Sequence, residues 1–152
     1  MLRILRHNPN AAILLIGYSH GGNVNNIALN VLEECEIDIS NITLVSTASP
    51  AMYDYRLNTN AQSQINGHFN FYNRRDATQT IWAQLTANSQ VMNVDGHPRG
   101  CAHHGAENIP VDRNVPRGFQ NRWGAPAHSI MRTDTAIWYH YKINLIREAT
   151  GW

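Results

Sequence analysis

Ala11 to Ile16 is an unbroken apolar hexamer, preceded by the turn signal Asn8-Pro9-Asn10 and stopped by Gly17. A short apolar run between breakers predicts a strand buried on both faces, of the kind found in parallel sheets. Leu2, Ile4 and Leu5 before it read as the last turns of a helix. From Gly21 to Cys35 the pattern changes: Val24, Ile27, Ala28, Val31 and Leu32 fall at i, i+3, i+4, i+7 and i+8, which is one helical face, with Asn23, Asn25, Asn26, Asn30, Glu33 and Glu34 elsewhere. Ile42 to Val45 predicts a second strand, ended by Ser49-Pro50, and Phe69 to Tyr72 a third. Tyr53 to Gly67 is polar and loop-like, and Ala77 to Ala87 suits a short helix. Ser89 to Ala127 is irregular, with Asn108 to Val111 as a weak fourth strand. Thr133 to Thr150 reads as a final helix, capped by Thr133 or Asp134 and ended by Gly151, with Ile137, Tyr141 and Leu145 on one face. Strands alternating with helices predict an α/β fold with a parallel sheet.

Composition narrows the function classes. With 152 residues the chain has the length of a single domain. The formal charge is +1, so no basic footprint for nucleic acid is present. Charged residues make up only 15%, and eighteen asparagines carry the polar load. No apolar run approaches the ~20 residues that span a bilayer, and no signal peptide precedes the first strand. The compartment is left open, with secretion or delivery into another cell in keeping with the sequence. Cys35 and Cys101 allow at most one bridge, and two free thiols are the simpler expectation.

Chemistry is concentrated in Gly17-Tyr18-Ser19-His20-Gly21-Gly22, a G-x-S-x-G placed between the apolar strand and the amphipathic helix. That context is what gives the motif meaning. Ser19 is expected on a tight, strained strand-to-helix turn, with Gly17 and Gly21 present because side chains there would meet the neighbouring strand or helix. Such a turn lifts the hydroxyl out of the sheet and aims the backbone N–H of His20 at a developing oxyanion.

With these elements the chain resembles the α/β-hydrolase family, in its lipase and esterase branch. The residues that carry the resemblance are Leu14 to Gly22, Thr47-Ala48-Ser49-Pro50 after the second strand, an aspartate after the third strand, and a late histidine. The resemblance implies a serine hydrolase of carboxylic esters or lipids that needs no cofactor, with Ser19 as nucleophile. Asp76, just past Phe69 to Tyr72, corresponds to the acid, with Asp95 as runner-up. His128, on a small-residue loop before the last helix, corresponds to the base ahead of His7, His20, His68 and His140. Ser19, Asp76, His128 reproduces the family's chain order. The loop His97-x3-Cys101-x-His103-His104 has metal-ligand residue types, but its spacing fits no standard zinc pattern; a polar rim to the site is expected instead.

Against the family pattern, the strands that precede the nucleophile strand are missing, and with them the loop that supplies the second oxyanion N–H. The expectation is therefore the C-terminal part of a hydrolase fold, with another chain, a second copy or an N-terminal fragment, covering the open edge of Ala11 to Ile16. Two alternatives to a competent esterase follow: an incomplete hydrolase fold used as a binding module, and a C-terminal lipase toxin piece of a larger protein.

Overall fold

In the computed structural model, which describes residues 2–82, 90–111, 128 and 143–151, the apolar run after Pro9 becomes β1 (Ile13–Tyr18). It begins later than hydropathy predicts and continues through Gly17 and Tyr18, because these two still pair with Ser46 and Thr47 of β2 (Ile42–Thr47). β2 pairs in parallel with β3 (Gly67–Tyr72), and β3 with β4 (Glu107–Pro110). The result is an α/β fold built on a four-stranded parallel sheet in the order β1-β2-β3-β4. Parallel neighbours require crossovers. Here α2 (His20–Glu34) connects β1 to β2, and α3 (Thr59–Gln64) precedes β3. α1 (Leu2–His7) leads into the sheet as expected.

β2 is buried along its whole length, and its alternating side chains feed two cores. Ile42 and Leu44 join Leu29 and Leu32 of α2 on one face, while Val45 meets Phe71, Val111 and Ile146 on the other. Ile146 belongs to α4 (Ile143–Thr150), which Gly151 ends at φ 70 with its N–H on the Arg147 carbonyl, the left-handed stop anticipated from the sequence. The remainder of the predicted final helix, with Ile137 and Tyr141, lies outside the described residues.

Two expectations are corrected here. β1 is not buried on both faces: Ile13, Leu14 and Leu15 are half-buried and Ile16 is 45% exposed, while its place at the sheet edge, with no strand on its other side among the described residues, is the expected one. Much of the periodic apolar face of α2 also points outward, with Val24 62%, Ile27 41% and Val31 49% exposed, while Leu32 of that face is buried. Beside Leu29 and Leu32, the helix also turns asparagines inward. Asn26 Nδ2 donates to the Tyr55 carbonyl and Asn30 Nδ2 to that of Arg56, each at 2.9 Å, while Asn30 Oδ1 accepts from the Asn58 N–H at 2.9 Å. A carboxamide both donates and accepts, so it matches the unpaired backbone of the segment after β2, which an aliphatic side chain would leave unsatisfied.

That segment is not simply a loop. Tyr53–Tyr55 forms a 3₁₀ turn, and Asn58 caps α3 by accepting from the Ala61 N–H at 2.7 Å. The helix expected from Ala77 takes the form of a π-helical turn over Thr78–Trp82, beyond which the described residues break off. Among the described residues no helix is long and apolar enough to cross a membrane.

Candidate active site

β1 ends at Tyr18 and α2 begins at His20, so Ser19 alone makes the corner. Its backbone sits at φ 53, ψ −132, a region that costs a side-chain-bearing residue about 1–3 kcal/mol. The bend is held from both sides: the Ser19 N–H donates to the Thr47 carbonyl at 2.9 Å, and the Gly22 N–H to the Ser19 carbonyl at 3.1 Å. As first residue of α2, His20 presents its N–H ahead of the intrahelical ladder, and its side chain is exposed.

The glycines divide differently from the sequence expectation. A Cβ on Gly17 would stand 2.5 Å from the Gly22 Cα, and one on Gly22 would stand 2.5 Å from Ser49 Oγ. A Cβ on Gly21 would meet nothing within 4 Å. Strand and helix thus touch backbone to backbone at Gly17 and Gly22, and Gly21 is free of that constraint. Gly21→Ala is expected to stabilise the fold by up to about 1 kcal/mol through helix propensity. Gly22→Ala is expected to destabilise it by about 1–3 kcal/mol through overpacking against Ser49. Urea unfolding of the two variants checks both signs.

Asp76 follows β3 and is fully buried. Its two carboxylate oxygens face different ways. Oδ1 accepts from the backbone N–H groups of Thr78 at 2.9 Å and Gln79 at 3.3 Å, capping the turn that follows. Oδ2 lies 2.6 Å from His128 Nδ1. On the other side of the ring, His128 Nε2 is 3.0 Å from Ser19 Oγ. An ionised carboxylate only accepts, so a neutral imidazole here would carry its proton on Nδ1 toward Asp76 and leave Nε2 to accept from the Ser19 hydroxyl. The structure therefore brings Ser19, His128 and Asp76 into one hydrogen-bonded line. Asp95, the runner-up acid, is exposed in a turn closed by the His97 N–H on the Val94 carbonyl at 3.1 Å.

Sequence reasoning missed the residues that support this line. Thr78 and Gln79 hold Asp76, and Gln79 Nε2 also donates to the Ser49 carbonyl at 2.7 Å. Tyr18 touches His128, its hydroxyl donating to the His128 carbonyl at 3.0 Å. The Asp76-Ala77-Thr78-Gln79 run carried a readable cap signal. Nothing in hydropathy marks the residue before the nucleophile as a partner of the histidine.

The histidines of the loop after β3 do not converge. His97 Nδ1 lies 2.7 Å from the Tyr72 hydroxyl, His104 stacks on Tyr53, and His103 faces His68 edge-on. Among the described residues no group of three or more metal-ligating side chains forms. Burial holds the His68 imidazole well below its ordinary value, at about 3, with His103 adding to the effect, and holds His103 at about 4. Cys35 is exposed and Cys101 buried, both as free thiols.

A parallel α/β sheet with a strained serine at the corner between its edge strand and the next helix has the architecture of an α/β-hydrolase domain. Residues 1–84 match the profile of the family described as lipase (class 3), and the chain belongs to that family. The match spans Ser19 and Asp76 and ends before His128. No curated protein and no solved structure matches the chain.

Proposed function

We propose that this protein is a serine hydrolase of carboxylic esters, with lipid or short acyl esters as substrate class. One observation carries the reading: the continuous contact from Ser19 Oγ through both imidazole nitrogens of His128 to the buried Asp76. Family membership supports ester hydrolysis as the reaction. In this reading Ser19 Oγ attacks the acyl carbon while its proton passes to His128 Nε2. The backbone N–H of His20 stabilises the oxyanion. The tetrahedral species collapses as the alcohol leaves with the proton from Nε2. Water, deprotonated by the same nitrogen, then releases the acid and restores Ser19. Asp76 holds the tautomer and balances the imidazolium charge. A fluorophosphonate probe is expected to label Ser19 and to leave Ser19→Ala unlabelled. A folded protein that takes up no label in its complete assembly, with the edge of β1 covered, overturns the reading.

We also infer that another chain covers the outer edge of β1. The support is physical: among the described residues no strand pairs with the outer side of β1, a strand of apolar sequence, and Ile16 beside it is exposed. The isolated chain is expected to self-associate or to require that partner. Light scattering that finds a monodisperse monomer of full solubility counts against it.

A further inference from the structure

Tyr18 occupies the variable place directly before the nucleophile. Its backbone is fixed as the last residue of β1, opposite Thr47, and its ring packs against the core of Val45, Ala48, Phe71, Val111 and Ile146. From this anchored position it touches His128 twice. The phenol donates to the backbone carbonyl of His128 at 3.0 Å. The ring lies 5.1 Å from the imidazole, centroid to centroid, at a tilt of 43°.

We propose that Tyr18 is a positioning residue that sets the separation between nucleophile and base; this rests on the esterase reading above. Asp76 and Ser19 each bind one nitrogen of the ring, which fixes its tautomer and the line between its partners. Neither holds the backbone of His128, and the two are brought together across 109 residues of sequence. Tyr18 supplies that hold. It is covalently next to Ser19, so the hydroxyl that attacks and the carbonyl that locates the base are referenced to the same two residues of strand end. A movement of β1 carries both together. Misplacement of reacting groups by about 1 Å costs about 10²-fold in rate, so a device that cancels relative movement acts on turnover and not on substrate affinity.

The test separates the hydroxyl from the ring. Tyr18→Phe keeps the packing and the ring contact and loses only the hydrogen bond; Tyr18→Leu loses both. With a short-chain chromogenic ester, Tyr18→Phe is expected to lower kcat by about 10-fold with KM within about twofold, and Tyr18→Leu to lower kcat by about 100-fold. Fluorophosphonate labelling of Ser19, scored per folded molecule, is expected to slow in the same order. This readout stands even where Tyr18→Leu folds poorly, because Tyr18→Phe preserves the core contacts. Wild-type kcat in Tyr18→Phe, or a change in KM alone, overturns the proposal. Ser19→Ala run alongside tells the two failures apart. If it keeps wild-type turnover, the esterase reading falls and the role of Tyr18 with it. If it is inactive while Tyr18→Phe is unimpaired, only the role of Tyr18 falls.

Discussion

Replacing Ser19 by glycine is expected to abolish ester turnover and at the same time to make the protein more stable. Loss of a triad nucleophile costs on the order of 10⁶-fold in turnover, because the remaining groups have nothing to activate. The stability gain has a different origin. At φ 53, ψ −132 the serine carries a Cβ in a region that favours glycine. Removing the Cβ releases strain of about 1–3 kcal/mol, offset in part by the greater freedom of glycine in the unfolded chain, about 0.5–1 kcal/mol. Ser19→Ala, which keeps the Cβ, should lose turnover equally and gain no such stability. Paired urea unfolding and turnover measurements distinguish the two. A Ser19→Gly variant less stable than Ser19→Ala would show that the bend stores no strain.

The second large effect is acid sensitivity that arises away from the serine. His68 and His103 are buried beside each other, held at about 3 and about 4 against an ordinary value of 6.5. No charged partner accompanies either in its hydrogen bonds: His68 Nδ1 meets Gln62 Oε1, and His103 Nε2 meets the Ser49 carbonyl. Below about pH 6.5 the unfolded chain takes up a proton on each, and the folded protein does not. The stability tied to the pair is therefore whole above about pH 6.5 and declines as pH falls toward about 4. In that window the slope approaches about 1.4 kcal/mol per pH unit for each histidine. The pair removes about 4 kcal/mol by about pH 5 and about 6 kcal/mol by about pH 4, which reaches the lower end of the ~5–15 kcal/mol of an ordinary domain only below about pH 5. Asp38, lowered by the Ser40 amide, is exposed and acts only below the ordinary carboxylate range. Urea titrations from neutral to mildly acid pH are expected to show the slope in the wild type and about half of it in His68→Gln. An unchanged slope in the double variant His68→Gln/His103→Gln would remove the pair as its cause.

The parts of this molecule that could be read from the sequence are those where hydropathy and backbone chemistry agree. The β1 run ends in a G-x-S-x-G, and every constraint there (a breaker, an apolar strand, a helix start) is local, so the corner was legible before any contact was known. β2 and β3 were legible for the same reason, as short apolar runs bounded by turns. The inward face of α2 was not. Hydropathy ranks Asn23, Asn26 and Asn30 as surface residues, and what draws Asn26 and Asn30 inward is the carbonyl groups of Tyr55 and Arg56, which no period in α2 encodes. α3 was missed because its residues are polar and its cap, Asn58, resembles any turn asparagine. An aspartate just ahead of a helical turn, as Asp76 is, also suits a cap, which is a reading separate from that of an acid facing a histidine. The structure gives each contact its own oxygen, Oδ1 on the Thr78 and Gln79 amides and Oδ2 on His128 Nδ1, so a cap does not compete with the proposed acid. Tyr18 had no signal, since its partner stands 110 residues away.

The asparagine seam of α2 has a consequence for aim. Greasy faces slide: a helix resting on aliphatic side chains can roll a few degrees while losing little contact. Directional bonds to named carbonyls do not tolerate such play, and they lie on the same helix that starts at the Ser19 corner. In the proposed esterase, recoil of the serine would have to drag the whole helix against those bonds. The corner can thus stay cocked while the outward flank of the helix is left free to change its chemistry.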